Sequence, residues 1–154
     1  MNRRARTIGW LWVVVQGGLL LGLAIAPVVP PAHAPIVWGW LAVAFGAVLA
    51  LFAWRALGDA LTPNPVPHKR SSLHMQGIYR YLRHPMYAAV LCAAFGYACV
   101  RGGWWHWGFA AALVVFFVAK IRFEEAWLCV RYPDYADYRA HTGMLWPRLR
   151  NRDR

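Results

Sequence analysis

Acid is scarce in this chain. Six Asp and Glu stand against 17 Lys and Arg, and no acidic residue precedes Asp59. Any chemistry that needs carboxylates must therefore draw on a very short list. Charge of either sign is also scarce, at 15% of residues, where a soluble domain carries about 25%. With 60% hydrophobic residues, the chain has more apolar surface than one core can hide, and it needs lipid as well. Cysteine is sparse too: Cys92 and Cys99 share one apolar run and Cys129 is remote. That spacing excludes a zinc site, and the three thiols read as small apolar side chains. His68 and His74 have no metal-ligating companions, so no metal is expected. A glycine-rich strand-to-helix fingerprint is missing as well, which removes a dinucleotide fold of the doubly wound kind.

What is present is positive charge, +11 net. A basic chain can point to nucleic acid, but here the charges are segregated along the chain. Basic residues bunch at the N-terminus, in the central loop and in the tail, while the apolar runs between them are nearly charge-free. That is the pattern of a bilayer protein with positive loops in the cytoplasm. The expected partner is the lipid bilayer, and no nucleic acid.

The apolar runs give the architecture. Ile8 to Ala26, behind Arg3, Arg4 and Arg6, is long enough for a full span and lacks a convincing signal cleavage site. Gln16 is its only strongly polar side chain. Pro27, Pro30, Pro31 and Pro35 then break the chain in an uncharged loop. Ile36 to Leu57 is a second span, with Trp38 and Trp40 at one end and Trp54 and Arg55 at the other, as interfacial residues are placed. Gly58 to Arg83 is a polar loop with Pro63, Pro65 and Pro67. Pro85 suits the first position of a helix. Met86 to Val100 and Trp104 to Ala119 flank Arg101-Gly102-Gly103 and read as a short helical hairpin. His33 and His106 read as surface residues at the outer turns. Past Lys120 the last helix should continue into the cytoplasm as far as Tyr132-Pro133, followed by a short helix over about 135–141 that ends at Gly143.

The expected fold is an all-α integral membrane protein with about four transmembrane helices, a short hairpin and a cytoplasmic helical tail. It forms one membrane domain: two N-terminal spans over 1–57, a core over 58–149 and a basic tail over 150–154. With both termini inside, 16 of the 17 Lys and Arg fall on the cytoplasmic side or at its helix edges, and only Arg101 falls outside. The positive-inside rule selects that orientation, and a bacterial inner membrane is the expected location.

Two polar clusters flank the hairpin. The first is Gly77-Ile78-Tyr79-Arg80-Tyr81-Leu82-Arg83-His84-Pro85-Met86-Tyr87, and the second is Arg122-Phe123-Glu124-Glu125. Both lie at the cytoplasmic edge, where they can meet. Polar groups at a membrane edge tend to be functional. The forked donors of Arg83 suit a carboxylate, His84 can donate or accept near neutral pH, and Tyr79 and Tyr87 offer rings to a cation. Arg122 and Glu125, three apart, should share a helix face, and Lys120 should pair with Glu124 in the same way. Tyr132, Tyr135 and Tyr138 recur every three residues, a spacing that means packing of a short helix on the bundle.

The ordered set resembles the isoprenylcysteine carboxyl methyltransferases and their bacterial relatives. Its parts are Gly77-x-Tyr79-x-x-x-Arg83-His84-Pro85-x-Tyr87, then Arg122-x-Glu124-Glu125-x-x-Leu128, Tyr135-x-x-Tyr138 and Thr142-Gly143-Met144-Leu145-x-Pro147. It covers about residues 57 to 149. The resemblance implies an S-adenosylmethionine site between the cytoplasmic helix ends and the tail. It places Leu73, His74, Gly77, Tyr79, Arg83, His84, Pro85, Tyr87 and Glu124 at the cofactor. Arg122 and Glu125 become the catalytic residues, with Arg122 holding an acceptor carboxylate. Leu73-His74-Met75-Gln76 and Ile78 depart from the usual aliphatic, Thr or Ser stretch and Pro of the family. The implied activity is methyl transfer to a lipophilic or membrane-associated acceptor, first of all a carboxylate. Alternatives are a phospholipid amine or thiol acceptor, an NADPH-dependent membrane reductase of the sterol type, and a non-enzymatic membrane subunit.

Overall fold

The computed structural model describes residues 3–29, 36–58 and 73–148, with side chains in the first helix from Thr7 onward. Among them there are five α-helices and no β-strand: α1 (Arg3–Ile25), α2 (Ile36–Leu57), α3 (Pro85–Arg101), α4 (Gly103–Arg131) and α5 (Tyr135–His141). A 3-10 helix (Gly77–Arg80) precedes α3. The prolines of the outer loop from Pro30 on, His33, the Pro63–Pro67 stretch, His68 and the tail from 149 lie outside the described residues.

Two helices, over 7–25 and 36–57, are long and apolar enough to cross a membrane, and α3 is a shorter apolar helix. Their outward faces are greasy: Leu11, Val14, Leu21, Val37, Leu41, Phe45, Val48 and Phe52 are all exposed. Continuous exposure on that scale marks a surface meant for lipid. The 17 residues of α3 rise only about 25 Å, less than the roughly 30 Å of a bilayer core. The 29 residues of α4 rise about 43 Å. Its apolar part therefore pairs with α3, and its polar end projects beyond.

The helices pack in the order α1, α4, α3, α2. The main core lies where α1, α3 and α4 meet, around Leu23, Ala94, Ala98, Ala110, Leu113, Phe116 and Phe117. The tightest seam is between α2 and α3. A Cβ on Gly96 would sit 2.5 Å from the Gly39 carbonyl oxygen and 2.9 Å from the Val43 nitrogen. Only hydrogen fits there, so the two backbones touch, as small residues allow between membrane helices.

The elements that matter most begin and end on cues in the sequence. Pro85 occupies the first turn of α3, where its missing N–H deprives no one. Gly77 enters the 3-10 helix at φ +61°, a conformation that glycine adopts without strain. α4 stops at Arg131, one residue before Tyr132-Pro133, and α5 spans Tyr135–His141 as expected. After α5 the chain doubles back. Leu82 and Gly143 form a parallel bridge, with Arg83 N–H donating to the Gly143 carbonyl at 2.8 Å and His84 N–H to that of Met144 at 3.1 Å. A Cβ at Gly143 would collide with the Trp146 carbonyl, so the return is tight.

His106 departs from expectation. It is fully buried, and its Nδ1 faces the Gly102 carbonyl one turn back. It falls on the stripe His106, Ala110, Leu113, Phe117 of α4, whose other members are core. Its place beside the turn suggested exposure, but the helix register directs it into the core.

Candidate functional site

The start of α3 and the polar end of α4 meet, and the segment after α5 closes over them. Glu125 is the hub. It is 4% exposed and is surrounded by cationic or donor groups. Arg83 Nε donates to its Oε1 at 2.7 Å, His84 Nε2 lies 3.2 Å from the same oxygen, and Arg139 Nε is 3.3 Å from Oε2. Burial pushes the Glu125 carboxyl up, but the hydrogen bonds from His84 and Arg83 and the Arg83 charge outweigh it. The group is held at about 2 and stays a carboxylate at any physiological pH.

Arg83 is the second hub, with its side chain only 9% exposed. Besides Glu125 it donates through Nη1 to the Thr142 carbonyl and to that of Arg139 at 3.1 Å. It thus ties the entrance of α3 to α4 and to the returning tail. Much of the fork expected for a ligand carboxylate is spent inside the protein, and Nη2 is the part left without a hydrogen bond among the described residues.

Glu124 takes a different partner. The Tyr87 hydroxyl donates to its Oε2 at 2.8 Å, and His84 Nδ1 lies 3.9 Å from the same atom. The Tyr87 ring stacks on His84 at 5.5 Å and on Phe117 at 4.8 Å. His84 therefore stands between the two glutamates, one at each ring nitrogen. Tyr79 is buried, and burial, followed by the Glu124 charge, pushes its hydroxyl well above the ordinary tyrosine value. Tyr138 donates to the Tyr79 carbonyl at 2.5 Å and meets Tyr135 edge to face at 5.7 Å. Tyr135 is buried, so these tyrosines pack α5 on the bundle, as their spacing predicted.

Beside this cluster lies an open cavity of about 380 Å³, lined by Arg83, Arg139, Thr142, Gly143, Met144, Trp146, Pro147 and Arg148. Its volume is within the range of small-molecule sites, and three guanidinium side chains contribute to its wall.

Most of the sequence-predicted site residues come together. Tyr79, Arg83, His84, Tyr87, Glu124 and Glu125 form one connected network, with Pro85 buried at its base. Gly77 is exposed at the entry to the 3-10 helix. Leu73 and His74 are half-buried in the extended stretch before it.

Arg122 is the exception. It is exposed while Glu125 is buried, and it has no ion pair among the described residues, so it does not share the inward face. A three-residue step turns a helix by about 300°, and α4 buries only a narrow stripe. Leu113, Phe117, Ile121 and Glu125 follow that stripe at i,i+4, while Arg122 lies off it. Nor does Lys120 form an ion pair with Glu124. Its ammonium instead donates to Gln16 Oε1 of α1 at 2.7 Å. Arg139 and the Thr142 carbonyl were not singled out from the sequence. Arg139 directly follows the Tyr135-x-x-Tyr138 motif, a signal that was available.

A family model for phospholipid methyltransferases matches residues 35–134, from the foot of α2 to the turn before α5. The chain belongs to this family. Phospholipid methyltransferases form part of the wider isoprenylcysteine carboxyl methyltransferase-like superfamily, so the resemblance read from the motifs holds at that broader level. A comparison with curated proteins finds no match to the chain. The matched stretch contains Arg83, His84, Tyr87, Glu124 and Glu125 but not α1 or the returning tail. Family membership, together with the apolar helices, makes this a membrane methyltransferase.

Proposed function

We propose that the protein transfers a methyl group from S-adenosylmethionine to a lipophilic carboxylate, working at the cytoplasmic edge of the bilayer. In this reading α1, α2, α3 and the apolar part of α4 are four spans, and both termini face the cytoplasm. The observation that carries it is the network in which Arg83, His84, Tyr87, Glu124 and Glu125 join the entrance of α3 to the polar end of α4.

The residues fit the cofactor. Its amino-acid carboxylate would be met by the guanidinium side chains of the cavity wall, Arg83 and Arg139 among them, and its cationic parts by Glu124 and the Tyr87 ring. When bound, S-adenosylmethionine supplies an electrophilic methyl on a sulfonium. The chain's own groups then hold, orient and keep water out. Arg83 and the returning tail fix the cavity wall, and Glu125 keeps Arg83 in place. His84 positions both glutamates.

A carboxylate acceptor suits this arrangement because it is already ionised at neutral pH. It needs no base, and the site contributes orientation and desolvation. An ammonium acceptor would need a base, whereas Glu125 is engaged by three side chains and Glu124, bonded to Tyr87 through one oxygen, serves the cofactor in this reading. The match to the phospholipid methyltransferase family supports a second reading, in which the acceptor is a phospholipid.

The test is calorimetric titration of S-adenosylhomocysteine into the detergent-purified chain. Saturable binding that is lost in His84→Ala, with the variant still folded, is the expected result. Stabilisation by NADPH and not by S-adenosylhomocysteine would overturn the methyl-transfer reading in favour of a reductase.

A further inference from the structure

Lys120 is the least explained charge in the molecule. It is 2% exposed and lies one helical turn before Glu124. A buried ammonium is costly unless it is paired and its hydrogen bonds are satisfied. This one has three donors, and its only hydrogen bond among the described residues goes to a neutral amide oxygen, Gln16 Oε1 at 2.7 Å. Two aromatic rings supply the rest of its company, Tyr87 at 5.1 Å and Phe116 at 6.0 Å. Tyr87 in turn is bonded to Glu124. Lys120 therefore touches the reactive cluster through the Tyr87 ring.

The charges around it are unbalanced. Arg83 and Arg139 converge on Glu125, and Glu124 is bonded to Tyr87 at 2.8 Å; Glu124 acts on Lys120 only through its charge, with no ion pair between the two among the described residues. Gln16 belongs to α1, which lies outside the stretch matched by the family model, and is half-buried. Beside it α1 is open, since a Cβ on Gly17 or Gly18 would meet nothing within 4 Å. Turning the Gln16 side chain toward lipid would open a lateral way to the ammonium.

We infer that Lys120 is the acceptor-binding residue, taking the terminal oxyanion of a lipophilic acceptor, with the Gln16 amide oxygen standing in for that oxyanion when the site is empty. The inference rests on the methyl-transfer reading and names its acceptor class: an amphiphile whose apolar chain lies between α1 and α4 and whose carboxylate reaches Lys120. One carboxylate oxygen is held by the ammonium. The other is free to form the new O–C bond as the S–C bond of the sulfonium breaks, with no proton to remove. This is the role the sequence suggested for Arg122, which points elsewhere.

The experiment is calorimetric binding of oleate, methyl oleate and dodecyl phosphate to the detergent-purified chain, with S-adenosylhomocysteine titrated in parallel. Wild type should prefer oleate to the uncharged ester by roughly tenfold or more, the worth of one charge-assisted hydrogen bond. Lys120→Met should abolish the preference and leave S-adenosylhomocysteine binding intact, while Lys120→Arg should keep most of it. Gln16→Leu should keep oleate affinity or raise it, because the stand-in is gone. An oleate preference that survives Lys120→Met, or that Gln16→Leu loses to the same degree, would reduce the pair to a clamp between helices and overturn the inference. A Lys120-dependent preference for dodecyl phosphate over oleate would overturn the carboxylate as the occupant and leave only an oxyanion site for a phosphate. Loss of S-adenosylhomocysteine binding in wild type, with the oleate preference intact, would overturn the methyl-transfer reading and leave the oxyanion site standing.

Discussion

Replacing Glu125 with Gln removes one charge from the most crowded point of the structure. The substituted amide fills the same space, but Arg83, whose side chain is 9% exposed, is left without its counter-ion. Breaking one side of a buried pair costs about 3–5 kcal/mol. The pH dependence gives an independent figure. A carboxyl held at about 2 against an ordinary 4.5 is worth about 3 kcal/mol to the folded state. The sign follows from the depressed value: this stability is fully present above about pH 4.5 and is lost as pH falls toward about 2. On the scale of a chain this long, about 3 kcal/mol lowers the melting temperature by roughly 6–12 °C. The assay is thermal unfolding of wild type and Glu125→Gln in detergent, followed by near-ultraviolet dichroism, from pH 7 down to the acid limit of solubility. The gap between the two proteins should be constant from pH 7 to about 5 and then close as wild type takes up its proton. A gap of less than about 2 °C at pH 7, or one that widens as the pH falls, would refute the placement of Glu125 as the counter-ion of Arg83.

Two further outcomes follow from the packing and the charge distribution. Gly96→Val would drive a side chain into the Gly39 carbonyl, so α2 and α3 should separate at a cost of about 1–3 kcal/mol, read as a lower melting temperature, whereas Gly108→Ala, with nothing within 4 Å of the added carbon, should leave it unchanged. For the proposed topology, single cysteines at His33 and Ser71 in a cysteine-free background should label from opposite sides of the membrane, with Ser71 protected from an impermeant reagent in intact cells; equal labelling from outside would overturn the cytoplasmic placement of the site.

The helices were legible because their boundaries are local events. Pro85 starts α3, the Arg101-Gly102-Gly103 turn ends it, and Tyr132-Pro133 ends α4, all within the reach of one helical turn. The meeting of Arg83-His84 with Glu124-Glu125 was legible as well, because a hairpin of two similar lengths brings its flanks to one level. What the chain did not disclose is direction around a helix axis. Arg122 and Glu125 are near neighbours along α4, yet one faces out and the other in. Apolarity cannot decide between two charged side chains, and along the apolar part of α4 lipid and protein core accept the same residues. The inward turn of His106 is hidden from the sequence for the same reason. Lys120 and Gln16 are 104 positions apart, and no local rule could pair them.

The bridge between Leu82 and Gly143 has a consequence for assembly. Insertion of an apolar helix needs only a short stretch of chain. The wall of the cavity, by contrast, needs the segment before α3, the end of α4 and the turn after α5 to find one another, with Arg83 and Thr142 separated by 59 positions. Contacts that distant close large loops and so form late. A bilayer-embedded chain could therefore have every helix in place and still lack a finished site. A ligand of the cavity would then bind only the completed fold and draw the population toward it by mass action. Ligand added during membrane preparation would raise the yield of folded protein, and the amount of bound ligand would count finished molecules among inserted ones.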